Sequence, residues 1–182
     1  LKKRVLGSLL VSALTISVML FFVSDNDVSV RSTKINSVKP IYIMKVIGDD
    51  YPYKNDSWNQ ADPWAFYKRE CVSFVAYRIN HTHKTQFTNW MRGGRFSHAK
   101  NWDDNARKIG FTVNKTPKVG AVAQWNSGTY GHVAYVAGVK DNGKTIVIEE
   151  YNKGGSHKYG VRIIPASSVD NFIHIVSNGE NK

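Results

Sequence analysis

The chain has 182 residues and one cysteine. A lone thiol excludes an internal disulfide, and with it the cysteine-stapled scaffolds of small exported proteins. Proline is scarce, five in all, and no low-complexity stretch or internal repeat is present, which excludes a stalk of polyproline type and a repeat solenoid. Residues 46 to 182 contain no Lys/Arg cluster longer than two and no nucleic-acid-binding motif. The net charge of +11 therefore does not read as a nucleic-acid interface. Metal-ligand clusters are also missing. His81 and His83 have the spacing of a pair but no acid or cysteine beside them, and they read as surface residues at a helix end. Asp49, Asp50, Asp56 and Asp62 do not form a compact calcium loop. No cofactor is expected, and calcium is not indicated.

The positive charge is spread along the chain. Residues 1 to 45 carry seven Lys/Arg against two Asp, and residues 46 to 182 carry eighteen Lys/Arg against twelve Asp/Glu. A basic folded part favours a polyanionic neighbourhood such as an anionic wall polymer, through a diffuse field. Lys2-Lys3-Arg4 precedes Val5 to Val23, nineteen residues without a charge. A span of about 20 apolar residues crosses a bilayer. Residues 1 to 24 therefore read as a signal peptide or N-terminal membrane anchor, with the basic end inside and the rest exported. Residues 25 to 46 are polar and read as a linker, and the folded domain is expected over 47 to 182. Outside the cytoplasm an unpaired thiol is an oxidation liability unless it is buried or has a chemical task.

Within the folded part, Asp62-Pro63 is a helix-start signal that predicts a short helix over Trp64 to Lys68. Cys71, Phe74, Val75 and Ile79 fall at helical spacing, predicting a helix from Glu70 to about Asn80. Ser97 to Ile109 reads as another, capped by Ser97, lined by Ala99, Trp102 and Ala106, and ended by Gly110. After Lys118 the pattern turns to strands: Val119 to Trp125, His132 to Val139, Thr145 to Asn152, Tyr159 to Ile164 and Phe172 to Val176. Helices followed by an antiparallel sheet give an α+β class.

Cys71 then lies in the first turn of a helix, where free N–H groups and the dipole favour thiolate and can bind an oxyanion. His132 opens a strand, and an acid and an amide follow on the next one. A thiol, an imidazole and a group that orients the imidazole are the parts of a cysteine–histidine hydrolase. Which glutamate serves the histidine depends on the turn at Lys140-Asp-Asn-Gly-Lys144. A two-residue Asn-Gly turn pairs 141 with 144 and sets His132 on the face of Glu149. A three-residue loop with a bulge at Gly143 pairs 140 with 144, and sets His132 opposite Asn152 with Glu150 on the same face. The second register is preferred, because it brings an acid and an amide to the imidazole together. Trp64, Trp90 and Tyr130 are candidates for a substrate groove, and Trp102 and Trp125 for the core. His98, His157 and His174 have no neighbours in sequence that suggest chemistry.

Four stretches taken in order resemble the CHAP (cysteine, histidine-dependent amidohydrolase/peptidase) domain. They are Asp62-Pro-Trp-Ala-Phe-Tyr-Lys-Arg-Glu-Cys-Val-Ser-Phe-Val-Ala, Pro117-Lys-Val-Gly-Ala-Val-Ala, Gly131-His-Val-Ala-Tyr-Val and Glu150-Tyr-Asn152. The resemblance runs from about Gly48 to Ile175. It implies a papain-like fold with N-terminal helices packed on an antiparallel β-sheet, and cleavage of an amide bond in bacterial peptidoglycan. It makes Cys71 the nucleophile, His132 the general base and then acid, Glu150 the group that orients and charges the imidazole, and Asn152 a fourth polar member. The bond implied is that of an N-acetylmuramoyl-L-alanine amidase or of an endopeptidase acting on stem or cross-bridge peptides. The alternative is a catalytically silent wall-binding surface protein with the same fold. The chain departs from the family in one place. Many members have Gln just before the cysteine, where this chain has Glu70.

Overall fold

The computed structural model describes residues 45–176. In chain order its elements are α1 (Cys71–His83), β1 (Trp90–Met91), β2 (Gly94–Arg95), α2 (Trp102–Lys108), β3 (Thr112–Asn114), β4 (Val122–Trp125), β5 (His132–Lys140), β6 (Thr145–Tyr151), β7 (Tyr159–Pro165) and β8 (Asn171–His174). Strands β3 to β8 form one antiparallel sheet in the order β3-β8-β4-β5-β6-β7. The α+β class expected from the pattern is the one observed, with a cysteine-bearing helix packed on a sheet whose strand β5 opens with His132. Among the described residues no helix is long and apolar enough to cross a membrane. The leader or anchor expected over residues 1 to 24 lies outside them, as does nearly all of the linker.

The apolar spacing that predicts α1 also sets its buried side: Cys71, Phe74, Val75 and Ile79 pack with Val133, Tyr135 and Tyr151 from the sheet. The helix runs three residues beyond the expected Asn80 and stops where Lys84 turns left-handed at φ 53°. That extension half-buries His83, whose Nε2 lies 3.0 Å from the Tyr135 hydroxyl. His83 is thus a packing residue, not the surface residue expected, and burial, with Lys45 nearby, holds it below the usual imidazole range. His81 is exposed as expected.

Asp62-Pro63 does not start a helix. The Asp62 carboxylate accepts hydrogen bonds from the amides of Trp64 (2.8 Å) and Phe66 (3.0 Å), and Ala65 is left-handed at φ 65°. A short acid that closes a turn on its own backbone competes with helix propagation. Its other oxygen accepts the Ser73 hydroxyl of α1, so this turn is pinned to the helix. Downstream, the single helix expected over 97 to 109 is a 3-10 turn, Ala99–Asn101, that leads into α2. Ser97 is left-handed and makes no cap, while Ala99, Trp102 and Ala106 are buried as the pattern requires. The β1–β2 hairpin and β3 have no counterpart in the sequence reading. The hairpin turns on Arg92-Gly93, both at positive φ, the conformation that a two-residue turn of this kind demands.

The β5–β6 hairpin follows neither of the two turns expected. Lys140 pairs with Thr145, so the loop holds four residues, with Asp141, Asn142 and Gly143 all left-handed. The register then shifts inside β5, at a bulge between Val136 and Gly138. Beyond it Tyr135 pairs with Glu149, and the same register continued to the strand start sets His132 beside Asn152. The alignment preferred from the sequence is reached, but the extra residue sits at Ala137 and not at Gly143. The free carbonyl of Ala137 accepts the Lys45 amide at 3.0 Å.

That contact begins a strap over residues 45 to 50. The buried Glu149 carboxylate accepts the amides of Ile47 (3.2 Å) and Gly48 (3.1 Å), the Tyr159 hydroxyl (2.7 Å) and the Arg78 guanidinium (3.1 Å). Arg78 also reaches the Gly48 carbonyl (2.7 Å) and the Asp50 carboxylate (2.7 Å). Both Arg78 and Glu149 are fully buried. Removing one partner of such a pair strands a charge in a dry interior. Arg78→Met is expected to lower the unfolding free energy by about 3 kcal/mol in urea denaturation.

Candidate active site

Cys71 is the first residue of α1, and only 9 % of its surface is accessible. Burial pushes its thiol up to about 12, and the adjacent Glu70 carboxylate acts in the same direction. The amides of Val133, Val72 and Cys71 itself act against both without overcoming burial. The helix start favours thiolate, as the sequence reading has it, but a larger effect opposes it. The N-terminal amides are in place, but desolvation of the sulfur is the larger effect. Left to itself, the thiol rests protonated.

Val133, whose amide faces the sulfur, directly follows His132 on β5. The chain enters this strand through Gly131 at φ 71°. A Cβ at Gly131 would fall 2.5 Å from the Lys100 amide nitrogen and 2.6 Å from the Trp125 carbonyl, so only glycine permits this entry. The half-buried His132 ring lies 5.7 Å from the Trp125 ring, and its Nε2 is 2.8 Å from Glu150 Oε2. Among the described residues Nδ1 makes no hydrogen bond, and none joins the imidazole to Cys71.

Glu150 is 2 % accessible and is held from two sides. His132 contacts Oε2, while Arg162 donates from Nε to Oε1 and from Nη2 to Oε2 (2.9 Å). Burial by itself would raise this carboxyl, but the hydrogen bonds and charges of His132 and Arg162 outweigh it and hold it at about 2. The sequence reading did not include Arg162. Its signal is parity: β6 and β7 pair Ile148 with Arg162 and Glu150 with Gly160. Arg162 therefore shares the face of Glu150, one diagonal step away.

Asn152 does not join the imidazole as expected. It ends β6 in a left-handed turn (φ 57°), where its Nδ2 donates to Glu70 Oε2 (2.6 Å) and its Oδ1 accepts the His157 amide (2.7 Å). His157 Nδ1 lies 3.5 Å from Glu70 Oε1, and Trp58 stacks on the His157 ring at 5.4 Å. The residue that departs from the family pattern, Glu70, thus takes the amide away from His132. His157 gains two neighbours that only the fold supplies.

The three groove candidates have different surroundings. Trp64 is half-buried between Tyr53 and Tyr77. Trp90 is exposed on β1, with the Arg95 guanidinium 4.7 Å from its ring centroid. Tyr130 is exposed two residues before His132, beside His98. Asp50 and Asp56 are engaged by Arg78 and Lys68, and Asp62 by its own turn. No group of three or more His, Cys, Asp or Glu that could hold a metal occurs among the described residues.

A family profile described as the CHAP domain matches residues 55–152, a span that includes Cys71, His132, Glu150 and Asn152. Among curated proteins, the staphylococcal secretory antigen SsaA of Staphylococcus aureus is 47 % identical over 87 residues, covering 45 % of this chain and 33 % of the relative. The staphylococcal secretory antigen ssaA2 of the same species is 39 % identical over 89 residues, covering 45 % and 31 %. The alignments thus span about a third of the length of these relatives. Among solved structures, an N-acetylmuramoyl-L-alanine amidase from Staphylococcus aureus superposes with a TM-score of 0.48 at 25 % identity, covering 68 % of this chain and 36 % of that one.

The depressed Glu150 carboxyl links folding to pH. Its ordinary value is 4.5 and its folded value about 2. Its ionised form therefore favours the folded state above pH 4.5, and that contribution fades as the pH falls toward 2. In thermal melts Glu150→Gln is expected to be less stable than wild type at pH 6, with the gap closing steadily down to pH 2.

Proposed function

The chain belongs to the CHAP domain family, and from that premise we propose that it hydrolyses an amide bond of bacterial peptidoglycan through the Cys71 thiol. The observation that carries this reading is the His132–Glu150 pair, set at the start of the strand whose next amide lies against the Cys71 sulfur. Glu150 holds the imidazole by Nε2, which leaves Nδ1 as the nitrogen that takes the thiol proton. A thiol buried this deeply does not ionise in advance. Proton transfer to His132 accompanies attack on the carbonyl, as general-base catalysis. The tetrahedral oxyanion forms at the start of α1, where the Cys71 amide has no helical partner and can donate to it. Glu70 accepts the Asn152 amide, and as an ionised carboxylate it has no proton to donate to an oxyanion. His132 then returns its proton to the leaving amine. Water attacks the thioester with the same imidazole as base, and the acid half of the wall fragment is released.

Two bonds suit this chemistry: the lactyl–L-Ala amide of an N-acetylmuramoyl-L-alanine amidase, and a stem or cross-bridge peptide bond. Export fits the reading, since the basic and then apolar residues 1 to 24 are of leader or anchor type and the relatives named above are called secretory antigens. One feature favours a second reading, a wall-binding protein without chemistry. The thiol is buried, raised to about 12, and has no hydrogen bond to His132.

Digestion of purified peptidoglycan with product mass spectrometry separates the two. Wild type is expected to release fragments, and Cys71→Ala and His132→Ala to lose at least a hundredfold in rate. A freed L-Ala amine on lactyl-ended glycan identifies an amidase, and a new amine within the stem or bridge identifies an endopeptidase. Folded wild-type protein that sediments with walls of several bridge types, yet releases nothing, would leave the binding reading.

A further inference from the structure

We propose that Arg162 is a positioning residue for this chemistry: it keeps Glu150 an acceptor-only carboxylate, so that His132 carries its proton on Nε2 and turns a bare Nδ1 toward Cys71. The inference rests on the reading above.

The argument is one of tautomers. An ionised carboxylate can only accept, so a neutral imidazole facing it must donate from Nε2, and the lone pair is then on Nδ1. A protonated Glu150 could donate instead. Nε2 would become the acceptor, Nδ1 would hold the proton, and the thiol would have no base. What decides between these states is the charge of Glu150. This side chain is almost fully buried, and burial favours its neutral form. Three elements present polar or aromatic groups around it: β5 contributes His132, β7 contributes Arg162 and the backbone at Gly160, and β4 contributes Trp125, which lies beside both His132 and Arg162. Of these, Arg162 alone carries a permanent charge. It engages both carboxylate oxygens in the two-pronged geometry that suits guanidinium and carboxylate. Its carbon Cζ lies 6.0 Å from the Trp125 ring centroid, which restricts where the fork can point.

The amide that could have shared this task is committed elsewhere. Asn152 is bound to Glu70, so the orientation of Glu150 depends on His132 and Arg162 together. The side chain of Arg162 is 37 % accessible, and truncating it opens no interior cavity.

The test compares wild type with Arg162→Met and Arg162→Lys, using nitrogen-15 NMR of the His132 ring beside pH–rate profiles on purified peptidoglycan. Wild type is expected to show the Nε2–H tautomer of the neutral ring. Arg162→Met is expected to show a mixture with Nδ1–H below pH 6. It should also lose about tenfold in kcat with KM little changed, and its acid limb should move to higher pH by about one unit. Arg162→Lys, which restores the charge without the fork, should fall between the two. A folded Arg162→Met that keeps the wild-type tautomer and acid limb would overturn the proposal. If wild type releases nothing from any wall, the hydrolase reading fails, and the tautomer measurement still decides the role of Arg162. If Arg162→Met does not fold, the Lys variant carries the same comparison: a wild-type acid limb and kcat there would overturn the two-pronged clamp.

Discussion

Two adjacent glutamates on β6 face opposite sides of the sheet, and the site depends on that division. Glu149 points into the helix face, where it neutralises Arg78 and collects the strap amides of Ile47 and Gly48. Glu150 points to the other face and reaches His132 and Arg162. Strand pleating allows no compromise, because a slip of one residue would exchange the two. The bulge between Val136 and Gly138 fixes which glutamate goes where, and the Lys45 amide occupies the carbonyl that the bulge leaves free. Fold and site therefore share one backbone irregularity.

The thiol shows a second balance. A helix start favours an anion by a fraction of a kcal/mol to about 1 kcal/mol. Desolvating a sulfur anion works against it and is the larger effect here, as the raised Cys71 thiol shows. On the proposed reading, such a cysteine depends on a partner that accepts its proton during attack. It is also protected from oxidation while it waits, since the reactive form is the thiolate.

Periodicity made most of the fold legible. Residues 71 to 80 form the helix that their apolar spacing indicates, and five of the strands after Lys118 lie near their expected places. What escaped is governed by contacts distant in sequence or by local polar competition. Asp62 resembles a helix cap, but it closes a turn and takes the Ser73 hydroxyl from a helix that begins nine residues later. The hairpin register could be narrowed to two options, yet the strap that supports a bulge at Ala137 lies ninety residues upstream. Among the site residues, strand parity narrowed the partner of His132 to two glutamates, and the family resemblance implied Glu150. The diversion of Asn152 to Glu70 and the clamp by Arg162 were not legible, because each needs a neighbour that only the folded chain supplies.

The division of labour between the two glutamates is open to one direct comparison: Glu149→Gln against Glu150→Gln, each scored for unfolding free energy at neutral pH and for peptidoglycan hydrolysis per folded molecule. Glu149→Gln should lose several kcal/mol of stability, because buried Arg78 then keeps only the part-exposed Asp50 as a charge partner, while its folded fraction still cuts. Glu150→Gln should remain folded and lose most of its hydrolysis. A Glu149→Gln that is stable but inactive, beside a Glu150→Gln that still cuts at the wild-type rate, would contradict the assignment and place His132 with the other acid.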